Sequence, residues 1–184
     1  MKKLKLAATL SSALLGLALA SHTFAQEPVV GVANPESLFA DKDPLKNTNK
    51  QAALHIMKEL LQCNHWADAG TWLTDKYLQH NPNVKSGLAP VISFFTSTRK
   101  PTPTCDKLTT PVVAVLAEGD LVTVVIAREY DHPVNKGQKY TSTWFDMWRF
   151  VGGKADEHWD GATIAAPAAP AAAAAPAAAP AAKK

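Results

Sequence analysis

Residues 145–161 read FDMWRFVGGKADEHWDG. Three of them, Asp146, His158 and Asp160, are of types that move protons, and they stand among large aromatic residues on either side of a Gly-Gly pair. A carboxylate opposite an imidazole can fix its tautomer and hold a proton near neutral pH, and aromatic walls disfavour the charged form of a carboxyl group by desolvation. Such a cluster could take a proton from the carbon beside a carbonyl and return it to oxygen. The plainer reading of the same spacing is an Asp–His cross-strand pair on the solvated face of a hairpin.

The choice depends on strand register, because side chains alternate between faces along a strand. Trp144, Asp146, Trp148 and Phe150 share one face, and Asp156, His158 and Asp160 share one on the return strand. A two-residue Gly152-Gly153 loop sets Asp146 against Trp159 and leaves His158 and Asp160 on the opposite side. A three-residue loop, Val151-Gly152-Gly153, with Gly153 left-handed in a bulge, pairs Phe150 with Lys154, Asp146 with His158, Trp144 with Asp160 and Trp148 with Asp156. Turn preference alone does not decide between them. We take the three-residue loop because it gathers the cluster.

The elements that must position this hairpin come earlier in the chain. Asn47–Cys63, NTNKQAALHIMKELLQC, carries an apolar stripe at spacings of one, three and four, which predicts an amphipathic helix capped by Thr48 or Asn49. A short second helix is expected over Trp66–Leu73 and a third over Gly87–Thr98. Between them Tyr77–Pro82 reads as a stiff turn, because Pro82 fixes its own φ and keeps Asn81 out of the helical region. The period then shortens to that of strands: Val112–Ala117, Leu121–Tyr130, Tyr140–Val151 and Lys154–Thr163, the first two joined by Glu118-Gly119-Asp120. Helices first and an antiparallel meander after them predict an α+β domain with helices on one face of a curved sheet.

Lys2, Lys3 and Lys5 precede an apolar run and small residues ending in Thr23-Phe24-Ala25, the pattern of a cleaved secretory signal over 1–25. The expected location is therefore periplasmic or secreted, with no membrane span left after cleavage. A lead segment follows over 26–45, then the domain over 46–163, then an Ala/Pro-rich tail over 164–184 whose prolines forbid a long helix. The signal holds three of the nineteen basic residues and none of the sixteen acids, so the remainder balances at sixteen of each. That neutrality gives no electrostatic reason to expect nucleic acid as a partner. Export would place Cys63 and Cys105 in an oxidising compartment, where they form a disulfide or remain as two buried thiols.

Several pieces in order, NKQAALHIMKELL, YLQHNP followed by Gly87, EGD before a valine-rich strand, and the closing FDMWRFVGGKADEHWD, resemble the SnoaL-like polyketide cyclases of the nuclear-transport-factor-2-like superfamily. The resemblance covers roughly 47–163. It implies helices wrapped on a curved antiparallel sheet to form a cone-shaped pocket, often dimerised through the sheet. It also implies that Asp160 is the acid/base of an intramolecular aldol condensation, with His158 two positions before it. Asp146 stands where some of these cyclases have a histidine. His80 belongs to the QHNP pattern.

The expected ligand is a small, partly apolar or carbonyl-containing compound, with Asp160, His158 and Asp146 as catalytic groups. His80, Trp144, Trp148 and Tyr77 would line the space around it. A non-catalytic binding or scaffold domain of the same fold is the alternative. A metal held by His80, His158, Asp146 and Asp160 is a third reading that nothing in the spacing singles out, and no metal is assigned. Phosphate-binding loops, dinucleotide fingerprints and C-x-x-C pairs are missing from the sequence, so no organic cofactor is expected.

Overall fold

A computed structural model describes residues 27–164, and the expected signal segment and all but the first residue of the expected Ala/Pro tail lie outside the described residues. The first helix, α1, spans Pro44–His55. It starts three residues before the predicted Asn47, because Asp43, not Thr48 or Asn49, is the cap. The Asp43 side chain accepts from the Leu45 and Lys46 amides at 2.9 and 3.1 Å, and Pro44 fills the first helical position, where its missing N–H costs nothing. The helix then widens into π-type turns over Ile56–Gln62. Ile56, Met57 and Leu60 from this stretch are buried in the core, as the apolar stripe requires. A 3-10 segment, Trp66–Thr71, stands where the second helix was expected, and α2 spans Leu88–Thr98.

Five strands form one sheet: β1 Leu73–Gln79, β2 Val112–Glu118, β3 Leu121–Asp131, β4 Lys139–Val151 and β5 Lys154–Asp160. Their spatial order is β1-β5-β4-β3-β2. The last four make the expected antiparallel meander. The sheet as a whole is mixed, because β1 adds to the edge parallel to β5, with Leu73 beside Ala155 and Gln79 beside His158. The sequence pattern predicts a helix end and a turn in its place. Its register shifts between Leu73 and Leu78, and its two buried residues, Leu73 and Tyr77, lie four apart, a helical spacing that hides the two-residue alternation.

The core lies between the helices and one face of the sheet, where Trp148, Phe150, Val122, Val124 and Ala155 meet Leu60, Met57 and Val91. Phe39, in the segment read as a lead before the domain, is fully buried there, so the packed unit begins earlier than residue 46. Cys63 and Cys105 are joined by a disulfide that ties the end of the π-type turns to the loop before β2. Among the described residues no helix is long and apolar enough to cross a membrane.

The closing hairpin settles the register in a third way. Val151 pairs with Lys154 across a two-residue turn, with Gly152 and Gly153 at φ +57° and +78°, a left-handed pair that glycine adopts without steric cost. The extra residue sits further along: Phe150 pairs with Ala155 but Arg149 pairs with Glu157, leaving Asp156 as a bulge in β5. Beyond it Trp148 faces His158 and Asp146 faces Asp160, not the pairs Trp148–Asp156 and Asp146–His158 that the three-residue loop predicts. One inserted residue flips the following side chains, so the three polar groups still share the inner face.

Candidate functional site

That inner face borders a cleft of about 360 Å³ between sheet and helices. Met57, Leu61 and Phe95 form its helical wall, Ile126 and Trp144 belong to the sheet, and Asp146, His158 and Asp160 line it together. Asp146 and His158 are buried, 5% and 7% exposed, and Asp160 is half-buried. One ligand-type atom from each of the three lies within 4.8 Å of the others.

His158 is held at both nitrogens. Its Nδ1 lies 2.7 Å from Gln79 Oε1, and that oxygen also accepts the Asn81 amide at 3.1 Å, which turns the Gln79 carbonyl toward the ring. Nδ1 therefore donates. Nε2 faces Asp146 Oδ1 at 3.2 Å, so this contact holds one proton, on the imidazole or on the carboxyl. Trp144 Nε1 donates to the same Asp146 oxygen at 3.2 Å. Asp160 is braced separately: Asn81 Nδ2 donates to Oδ2 at 2.7 Å and the Ala162 amide donates to Oδ1 at 2.9 Å. The cluster thus sets one shared proton, between His158 Nε2 and Asp146, beside a second carboxyl group held in place by Asn81 and Ala162.

Trp148 and Tyr77 lie behind this layer. The Trp148 ring stacks on His158 with centroids 5.4 Å apart, and its Nε1 donates to the Tyr77 hydroxyl at 3.1 Å. Both residues are almost fully buried, 1% and 2% exposed, so they support the cleft from beneath instead of lining it as expected. Burial pushes the Tyr77 phenol far above its usual range, and the nearby Asp146 and Asp160 charges add to the effect although the Trp148 hydrogen bond opposes it. Tyr77 is thus a neutral buttress. Of the four residues expected around the ligand, only Trp144 borders the cleft.

His80 is not brought to the site. Alternation along β1 and its extension sends Gln79 inward and His80 outward, where its ring stacks on Trp159 at 5.0 Å and Nε2 pairs with Glu157 at 2.8 Å. The His80 hydrogen bond is the main cause holding the Glu157 carboxyl below its ordinary value. A metal would therefore have Asp146, His158 and Asp160 as protein ligands, without His80. Among the cleft residues that sequence reasoning missed are Gln79, Asn81 and Arg128. A strand reading of YLQHN would have placed Tyr77, Gln79 and Asn81 on one face, and with them the partners of His158 and Asp160.

The described residues thus form an α+β domain with a cleft, of a size to take a small molecule, between its helices and the inner face of a mixed sheet, with a polar cluster at the cleft wall. The SnoaL-like domain matches residues 57–158, more than half of the chain, and the chain belongs to that family. The match ends at His158, two residues before Asp160. Among solved structures the chain is similar to a candidate polyketide cyclase from Acidithiobacillus ferrooxidans, at 14% identity over 66% of this chain and 89% of that one, TM-score 0.46. It is similar to a candidate SnoaL-like polyketide cyclase from Jannaschia sp., at 19% identity over 66% and 91%, TM-score 0.45. A nuclear-transport-factor-2-like protein of unknown function from Burkholderia pseudomallei is similar at 18% identity over 63% and 91%, TM-score 0.41. No curated protein matches the sequence significantly.

Proposed function

We propose that this chain is an exported SnoaL-like pocket protein that transfers protons on a small carbonyl compound. The observation that carries the reading is the convergence of Asp146, His158 and Asp160, within 4.8 Å in a cleft with apolar walls. Asp160 takes a proton from the carbon beside the carbonyl. The proton held between His158 Nε2 and Asp146 passes to the enolate oxygen as charge develops there, so the pair becomes anionic while Asp160 becomes neutral. Delivery of the Asp160 proton to a different carbon of the enol, while the His158–Asp146 pair takes back the proton on oxygen, completes an isomerisation; in an aldol reaction the enol carbon attacks a second carbonyl, the pair takes back the enol proton, and Asp160 protonates the alkoxide that forms.

The second reading, a non-catalytic binding domain, is favoured by one feature: both Asp160 oxygens and the Asp146 oxygen beside His158 already accept hydrogen bonds within the protein. Proton exchange separates the two readings. With 2-tetralone in D₂O, followed by proton NMR, the wild type is expected to speed deuterium uptake at the carbon beside the carbonyl. Asp160→Asn should lower that rate by roughly 10²–10⁴-fold while line broadening shows the ketone still bound. Binding by both proteins with no accelerated uptake by either one overturns the enzyme reading.

Support for export comes from the Lys2-Lys3-Lys5 start with its apolar run, and from the Cys63–Cys105 disulfide, a bond that persists in oxidising compartments. The outer face of the sheet carries Leu116 and Phe145, 59% and 48% exposed, with Trp159 nearby, and this apolar surface supports a homodimer through the sheet.

A further inference from the structure

We infer that the cleft selects carbonyl compounds bearing a carboxylate, which Arg128 holds at the mouth while the carbonyl end reaches Asp160 and His158. The inference rests on the cleft being a ligand pocket and stands whether or not turnover occurs.

The chain has three arginines. Arg149 forks to both oxygens of Asp120 at 3.0 and 2.9 Å and reaches Glu157 with Nε at 3.1 Å. Arg99 donates to the carbonyls of Leu61 and Gln62 at 2.6 and 2.9 Å. Arg128 differs: among the described residues no salt bridge or side-chain hydrogen bond engages it. Its guanidinium instead lies over the face of Trp144, 3.9 Å from the ring centroid. Stacking of this kind holds the planar group in place and leaves its in-plane N–H donors free, the geometry that takes a carboxylate through two parallel hydrogen bonds.

Its position gives the fork a purpose. Arg128 lines the cleft and, histidine aside, is the one cation that does so. Trp144 carries Arg128 on its face and donates from Nε1 to Asp146, so a single indole spans the distance between the guanidinium and the proton-handling cluster. A ligand lying along that indole presents a carboxylate to Arg128 and a carbonyl to Asp160 and His158, with its apolar body against Phe95, Leu61 and Ile126.

Calorimetric titration with 4-oxo-4-phenylbutanoate and with its methyl ester at low ionic strength tests the inference, since the two differ only in the anionic group. The wild type should bind the acid about tenfold more tightly than the ester. Arg128→Gln should bring the acid to the level of the ester, and Arg128→Lys, which keeps the charge but loses the fork, should restore only part of the difference. Ester binding by Arg128→Gln reports that the cleft is still formed. Equal affinities in the wild type, no binding of the acid at millimolar concentration, or a preference for the acid that survives in Arg128→Gln each overturn the inference. Deuterium uptake by 2-tetralone, a neutral ketone, is a separate readout, so failure of the proton-transfer reading is seen independently.

Discussion

Between His158 and Asp146 there is room for one proton, and Gln79 is what makes the count definite. By accepting from Nδ1 at 2.7 Å it commits that nitrogen as a donor and leaves Nε2 to share with the carboxyl. Gln79→Leu removes that constraint without touching the acids, so the rate of proton exchange should fall while ketone binding stays, as NMR on the same samples would show. Beneath the pair, Tyr77→Phe leaves Trp148 Nε1 buried without an acceptor, which should cost about 1–3 kcal/mol in urea denaturation. Asp146, His158 and Asp160 were legible because acids and a histidine stand out among aromatic residues. Gln79 and Asn81 were not, because amides in a segment read as a turn carry no chemical signal until a strand aims them at something.

At the level of elements, the site depends on one inserted residue. The sequence calls for an added residue near Gly152-Gly153 to bring His158 and Asp160 to the side of Asp146. The chain places it at Asp156 and keeps the two-residue turn. Both placements satisfy the alternation, which is why the gathering could be foreseen and the pairing could not. What distinguishes them is tertiary: Asp156 Oδ1 accepts from Thr74 at 2.7 Å and Oδ2 from Lys76 at 3.2 Å, contacts made by the strand that the helical spacing of Leu73 and Tyr77 concealed. The Thr74 hydrogen bond is the main cause holding the Asp156 carboxyl below its ordinary value. A carboxyl group lowered in the folded state adds stability that is present above its unfolded value of 3.8 and is lost as pH falls through the lower folded value. Asp156→Asn should therefore show a weaker loss of stability than wild type between about pH 4 and pH 2, measured by thermal unfolding across that window.

For the molecule as a whole, the helices-then-sheet order was readable from the change in hydrophobic period, and the parallel edge strand was not, since pairing across the chain leaves no local pattern. The disulfide closes a loop with a sequence separation of 42, so replacing Cys63 and Cys105 by alanine should cost about 4 kcal/mol on the chain-entropy model, read from denaturant midpoints. Light scattering should give twice the monomer mass, and Phe145→Arg on the outer sheet face should halve it. Whether Gln79, Asp146 and His158 act as one unit is read most directly by ¹⁵N NMR of the His158 ring in the wild type and in Asp146→Asn. The geometry predicts a proton on Nδ1 in both, together with an Nε2 resonance that moves strongly when Asp146 is replaced. A bare Nδ1, or an Nε2 resonance indifferent to Asp146, would contradict it.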